Sequence, residues 1–221
     1  MKTGIYIMTF LLAFVQFVDG QTLTVPENHV IIDSVYGDLN KDGINELVVA
    51  YNTKPEIDFE SVPRVLIIYQ RDKDHWKEWK RSDEALYGSR DGGMMGDPYG
   101  EMEIKNGVLL ISQNGGSSWK WGFTDKYRFQ NGEFYLIGYT SLSGKPCENW
   151  KSVDFNLSTG KMIVKVEYEQ CDTDGQEVSK SENETLTKSG IKITLQKRQE
   201  CEIEIVTPKY GHVIYIATGK G

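Results

Sequence analysis

The chain has 221 residues, 32 acidic against 25 basic side chains and a formal net charge of −7. That length suits one domain, and the acidic balance argues against a protein that grips nucleic acid through bulk charge. Hydrophobic residues make up 39% of the chain, with 22 glycines, 6 prolines and 11% aromatics, a mixture suited to short strands and tight turns rather than long helices or membrane spans.

In chain order, Lys2 precedes an apolar run over residues 5–18, too short for a comfortable transmembrane span. It reads as residues 1–20 of a secretory signal, cut between Gly20 and Gln21. The expectation is a secreted or periplasmic protein, not membrane-embedded, with residues 21–221 as a single all-β domain. Strands are expected around residues 30–32 and 47–51, then 65–69 with 75–80. Residues 87–100 carry five glycines and read as a long loop. Two hairpins follow, turning at Asn106-Gly107 and Asn131-Gly132, because both central positions of a two-residue hairpin turn favour positive φ. At the second, an uninterrupted register sets Phe129 opposite Phe134, Phe123 opposite Thr140 and Trp121 opposite Leu142. It places Leu142 on the apolar face and Tyr139 on the wetter one. A third hairpin covers residues 150–157 and 161–169. Residues 172–189 are polar and read as an exposed excursion. Residues 191–195, 203–206 and 213–217 close the chain as strands. The fold class is an antiparallel meander of hairpins, in blade-like (partial propeller) units or, alternatively, a β-sandwich.

One motif carries chemistry. Residues 38–46 place oxygen donors at positions 1, 3, 5 and 9 of a loop through Asp38, Asn40, Asp42 and Glu46. Ile44 offers its backbone carbonyl at position 7, and Gly43 at position 6 supplies the sharp turn. Calcium takes six to eight hard oxygen ligands, and alternating Asp and Asn wrap it naturally. An EF-hand would need a bidentate Glu at position 12, where Val49 stands, so the loop belongs between strands. The competing reading is an Asx-rich turn satisfied by its own backbone.

The stretch from Gly37 to Ala50, with its Asp-Leu-Asn-Lys-Asp-Gly-Ile-Asn-Glu core, resembles the FG-GAP/VCBS-type repeats of extracellular proteins. The resemblance implies calcium-ligand roles for Asp38, Asn40, Asp42, Ile44 and Glu46. That family repeats its motif, whereas this chain has one good copy and a poor second at Asp172-Thr173-Asp174-Gly175. The remainder, with its Gly-Gly-Met-Met-Gly-Asp-Pro loop, resembles secreted bacterial proteins and implies no activity.

Export bears on the three cysteines, Cys147, Cys171 and Cys201, which match no zinc spacing. If Leu157 faces Lys161 across a three-residue loop, constant-sum pairing carries Cys147 opposite Cys171 and leaves Cys201 free. Gly144 and Pro146 are the residues that would end the strand first, and three reduced thiols are the alternative.

Other chemistry is thin. No nucleophile elbow, phosphate loop or His/Cys metal cluster is present, so no catalytic or cofactor-binding residue is assigned. Asp91, Asp97, Glu101 and Glu103 are the carboxylates for a glycoside hydrolase reading. Trp76, Trp119 and Trp121 are candidates for stacking on sugars or, as is commoner for strand tryptophans, for the core. Asn156-Leu157-Ser158 and Asn183-Glu184-Thr185 match N-glycosylation acceptors. The expected function is a secreted, non-enzymatic binding module stabilised by structural calcium, with a glycan or protein as extracellular ligand. The alternatives are a secreted carbohydrate-active hydrolase and a structural or assembly component of the cell envelope.

Overall fold

A computed structural model describes residues 23–56, 58–172, 175–200 and 202–216. Residues 1–20, expected to be a signal, and Cys201 lie outside the described residues. The fold is all-β and antiparallel. Strands β1 (Val30–Gly37), β2 (Glu46–Asn52), β3 (Arg64–Asp72) and β4 (His75–Ser82) form a four-stranded meander. Seven more form a second meander in chain order: β5 (Tyr99–Lys105), β6 (Val108–Gly116), β7 (Lys120–Gln130), β8 (Glu133–Lys145), β9 (Asn149–Asn156), β10 (Lys161–Asp172) and β11 (Gly175–Thr187). The hairpin of β12 (Ile203–Val206) and β13 (Val213–Ile216) stands apart as a two-stranded sheet.

The larger sheet has one covered face. Along β6 and β7 the residues Leu109, Ile111, Asp125 and Tyr127 are wholly buried, while their neighbours Leu110, Ser112, Thr124 and Lys126 are half-exposed, the period-2 signature of one dry and one wet face. The dry face shares one hydrophobic cluster with Val48, Ala50, Leu66 and Ile68 of the four-stranded sheet and with Ile205, Ile214 and Ile216 of the small hairpin. Trp79 of β4 packs on Phe129 and Phe134 at ring separations of 4.5 and 5.3 Å. Lys151 of β9 donates to the Val213 carbonyl at 2.6 Å, and Glu184 of β11 accepts from the Lys209 amide at 2.7 Å. The smaller sheet and the small hairpin thus cover different parts of one face, and the opposite face of the seven-stranded sheet is left open. This layered meander has one four-stranded unit of blade-like size, while the seven-stranded sheet does not divide into blades.

Both predicted two-residue turns are present, with Asn106 and Gly107 at φ 54° and 75° and Asn131 and Gly132 at 51° and 84°. Beyond the second turn the expected register holds from Gln130↔Glu133 to Tyr127↔Leu136 and then shifts by one at a bulge. Past it Phe123 faces Ser141 and Trp121 faces Ser143. A one-residue slip inverts the faces. Tyr139 therefore turns into the core at 7% exposure and Leu142 turns out at 50%, the reverse of the expected placement.

Two further expectations are corrected. Residues 175–187 are not a loose excursion: they pair along β10 from Asp172↔Gly175 to Lys161↔Thr187. Their polar composition marks an edge strand, whose charged side chains discourage pairing with other chains. Residues 191–195 form no strand. Thr194 makes an isolated bridge to Tyr135, and Leu195–Lys197 is a 3₁₀ turn that delivers Leu195 to the core.

Candidate calcium loop and ligand groove

The loop between β1 and β2 is anchored before it can bind anything. Leu39 is 1% exposed and sits in the main cluster. Gly37 lies against Ile104, where an added Cβ would be 2.7 Å from Ile104 Cγ2. The β5–β6 turn closes in from the side, with Gly107 leaving room for Lys41 Cε and the Asp38 carbonyl. Lys41 and Gly43 take φ of 67° and 86°, the left-handed steps that curl the chain.

Within the loop, the acidic side chains collect backbone amides. Asp38 Oδ1 and Oδ2 accept from the Lys41 and Gly43 N–H groups at 2.6 and 3.0 Å. Asn40 Oδ1 accepts from Asp42 N at 2.8 Å, and Asp42 Oδ1 accepts from Ile44 N at 2.8 Å. Glu46 Oε2 accepts from Leu39 N at 2.8 Å. Asn40 Nδ2 donates to Asp42 Oδ2 at 2.9 Å and to Glu46 Oε1 at 3.1 Å. The Asp42 amide fixes which end of the Asn40 side chain is oxygen, so its NH₂ group lies between two carboxylates.

The structure therefore brings Asp38, Asn40, Asp42 and Glu46 into one hydrogen-bonded loop, with the Ile44 side chain half-exposed at its rim. Each carboxylate oxygen already accepts at least one bond, in the manner of the Asx-rich turn. Among the described residues no group of three or more His, Cys, Asp or Glu side chains is gathered closely enough to hold a metal ion. The donor set nevertheless fits calcium in kind: all the oxygens are hard, and a carboxylate oxygen with one bond keeps a second lone pair. No Lys, Arg or His among the described residues forms an ion pair with Asp38, Asp42 or Glu46. Glu46 is the telling member, a carboxylate 1% exposed. Burial pushes its pKa up, the Asp42 charge adds to that, and hydrogen bonds from Leu39, Gln70 and Asn40 offset part of it.

The second copy, at Asp172, closes the β10–β11 turn through a bond from the Gly175 amide to its Oδ1 at 3.1 Å, and Thr173 and Asp174 lie outside the described residues.

The carboxylates of the hydrolase reading are not paired. Asp91 accepts from the Gly88 amide at 2.7 Å and the Ser61 hydroxyl at 2.6 Å, pinning the glycine-rich loop. Asp97 takes a bidentate pair of 2.6 Å bonds from Arg64, whose side chain is 1% exposed. Burial pushes the Asp97 carboxyl up, but the Arg64 bonds and the Tyr99 amide outweigh it and hold its pKa below the ordinary value. Glu101 and Glu103 stand exposed on β5.

The glycine-rich loop pinned this way ends at a groove of about 580 Å3 on the open face of the larger sheet. Its floor is Gly122 and a row of hydroxyls, Ser112, Thr124 and Thr140, on adjacent strands, with Ser112 Oγ and Thr124 Oγ1 2.8 Å apart. Trp150 and Leu142 stand along one side, and Met95, from the 3₁₀ turn Gly93–Met95, also lines it. Trp121 and Phe123 border the groove through their strand, but their rings point to the opposite face, stacked 5.9 Å apart and 5.7 and 5.9 Å from Tyr87. Alternation thus makes Trp150, which sequence reasoning passed over, the indole on the open face. Gly144, directly across from it, leaves room for its ring.

The structure bonds Cys147 to Cys171, with Sγ atoms 2.02 Å apart and Cα atoms 5.2 Å apart, by a route other than the expected one. The β9–β10 register runs one residue out of the predicted pairing, from Lys161↔Asn156 to Tyr168↔Asn149. Cys147 is not in a strand. It occupies the β8–β9 turn at φ 64°, which swings it over the end of β10.

In comparisons with known proteins, no family model and no curated protein matches the chain.

Proposed function

We propose that the protein is an exported, non-enzymatic binding module of the FG-GAP/VCBS calcium-loop kind, in which structural calcium stiffens the β1–β2 connection and the open face of the larger sheet carries the ligand. The observation that carries this reading is Glu46: a buried carboxylate with no basic partner among the described residues, in a loop with two further carboxylates. Asp38, Asn40, Asp42, Glu46 and the Ile44 carbonyl are the groups that would hold the ion. Calcium would supply the counter-charge that no ion pair among the described residues gives Asp38, Asp42 or Glu46. The Cys147–Cys171 bond supports export, since such bonds persist in oxidising compartments. Among the described residues no helix is long and apolar enough to cross a membrane. Glu101 and Asp154, at the two ends of the hydroxyl row, stand four strand spacings or roughly 19 Å apart, wider than the roughly 5–9.5 Å at which two carboxylates flank a scissile glycosidic bond, so the groove favours binding over cleavage.

The test is thermal unfolding with calcium or chelator. Extracellular calcium modules have dissociation constants of about 0.1–1 mM, so roughly 2 mM ion stabilises by about 0.6–1.8 kcal/mol. For a chain of this size that raises Tm by about 1–7 °C. Asp42→Ala should abolish the rise while leaving the fold intact. A Tm that is the same in calcium and in chelator refutes the calcium assignment.

A further inference from the structure

We infer that the groove over Gly122 is a binding site for an uncharged saccharide chain, with Trp150 as the stacking platform and the Ser112–Thr124–Thr140 row as the hydroxyl-reading floor. The inference rests on the binding-module reading and names the ligand class of its open face.

The argument begins with what a sheet face has to offer. The backbone N–H and C=O groups of β6 to β9 are engaged in the ladders on both sides, so a ligand lying on the face meets side chains only. A peptide recognised as an added strand needs a free sheet edge, and this groove crosses the middle of a sheet. What the face presents instead is small and polar. Ser112, Thr124 and Thr140 lie directly opposite one another on three neighbouring strands. The row therefore spans roughly 10 Å, twice the spacing between strands, the scale of two sugar rings. Each hydroxyl both donates and accepts, which matches a partner whose own hydroxyls do the same. Asn114 adds an amide beside them.

Apolar surface is present in the form that a sugar ring uses. Trp150 is half-exposed opposite Gly144, where a Cβ would collide with the Asn149 carbonyl oxygen and come within 2.9 Å of the indole Cε3, so the glycine leaves room for both the β9 backbone and the ring. A pyranose carries an apolar C–H face and a polar rim, and an indole with a wet edge complements both. Leu142, 50% exposed, and Met95, 49% exposed, supply further apolar surface.

Charge narrows the class. The protein carries a formal −7, and a carboxylate stands at each end of the hydroxyl row on the same face, Glu101 opposite Ser112 and Asp154 opposite Thr140. These two carboxylates repel an anionic polymer and can accept hydrogen bonds from sugar hydroxyls. The one ionised lining residue, Lys120, donates to the Ser117 carbonyl at 3.3 Å, and a single lysine is a thin basis for an anionic polymer. A neutral, hydroxyl-rich chain is what the lining complements.

The experiment is electrophoresis of the calcium-loaded protein through native gels containing soluble neutral polysaccharides: hydroxyethylcellulose, glycogen, xylan and galactomannan, with alginate as the anionic arm. Two variants accompany the wild type. Trp150→Ala removes the platform. Gly122→Val fills the floor. An added Cβ at Gly122 meets nothing nearer than 3.5 Å, and its φ is not in the left-handed region, so the strand accepts valine. The expected result is retardation of the wild type by at least one neutral polysaccharide, weakened at least tenfold in both variants, with their melting temperature in calcium and its response to chelator intact. Three results overturn the inference: no retardation by any neutral polysaccharide, retardation by alginate alone, or retardation that survives both variants. The calcium response is read separately on the same samples. Loss of saccharide binding with that response preserved therefore removes the ligand class and leaves the calcium-loop reading standing.

Discussion

Arg198 and Asp125 form the most deeply buried ion pair among the described residues, with side chains 5% and 0% exposed. Arg198 Nε lies 2.5 Å from Asp125 Oδ2 and Nη2 lies 3.2 Å from Oδ1, and the Tyr127 hydroxyl donates to Oδ2 at 3.0 Å. The guanidinium also sits over the rings of Phe123 and Tyr139, 5.3 and 5.8 Å from their centroids. Burial works against the Arg198 charge, but Asp125 outweighs it and holds the pKa above the ordinary arginine value. Asp125→Ala strands a buried cation and leaves the Tyr127 hydroxyl without its acceptor. Breaking such a pair from one side costs about 3–5 kcal/mol. For a chain of this size that lowers Tm by about 6–20 °C. Arg198→Met strands the carboxylate and should cost a similar amount. The double variant Asp125→Leu with Arg198→Met removes both charges and should recover most of the loss, because an apolar pair of similar volume avoids the desolvation cost. A double-mutant cycle by calorimetry reads the coupling. Single variants costing under about 1 kcal/mol, or a double variant as unstable as the two losses summed, would refute the reasoning.

Removing the disulfide with Cys147→Ser and Cys171→Ser frees a loop spanning a sequence separation of 24. The chain-entropy model gives about 3.5 kcal/mol, a fall of about 1–2 M in urea midpoint, and an unchanged midpoint would contradict it. Leu39→Ala, under the calcium loop, should cost about 2–5 kcal/mol, and a urea midpoint within error of wild type would show that the loop is not anchored there. Asp97 has a depressed pKa, so its contribution is present above the ordinary carboxyl value of 3.8 and is lost as pH falls through the lower folded value. The difference in Tm between wild type and Asp97→Asn should therefore be largest near neutral pH and shrink in acid below 3.8; a difference independent of pH would count against the Arg64 pair as its source.

Local chemistry decided the parts of this molecule that depend on a few consecutive residues. Asn106-Gly107 and Asn131-Gly132 dictate two hairpin turns because left-handed backbone is inexpensive at those residues, and the turn then sets the register beside it. The curl of the loop from Asp38 to Glu46 was equally legible, since short acidic side chains capture amides two to five residues on. Tertiary structure decided what lies beyond the reach of a turn. A bulge on β8 changes no composition, yet it exchanges Tyr139 and Leu142 between the faces. The polar residues of β11 become a strand because β10 offers a long edge to pair with, a contact that outweighs weak intrinsic strand preference. Cys147 reaches Cys171 from a turn, where constant-sum pairing along a strand does not apply. The groove was the least legible feature, because its floor comes from three strands, its indole from a fourth and Met95 from a distant loop. Only packing one face of the larger sheet under two other units left the opposite face, with Trp150, to solvent.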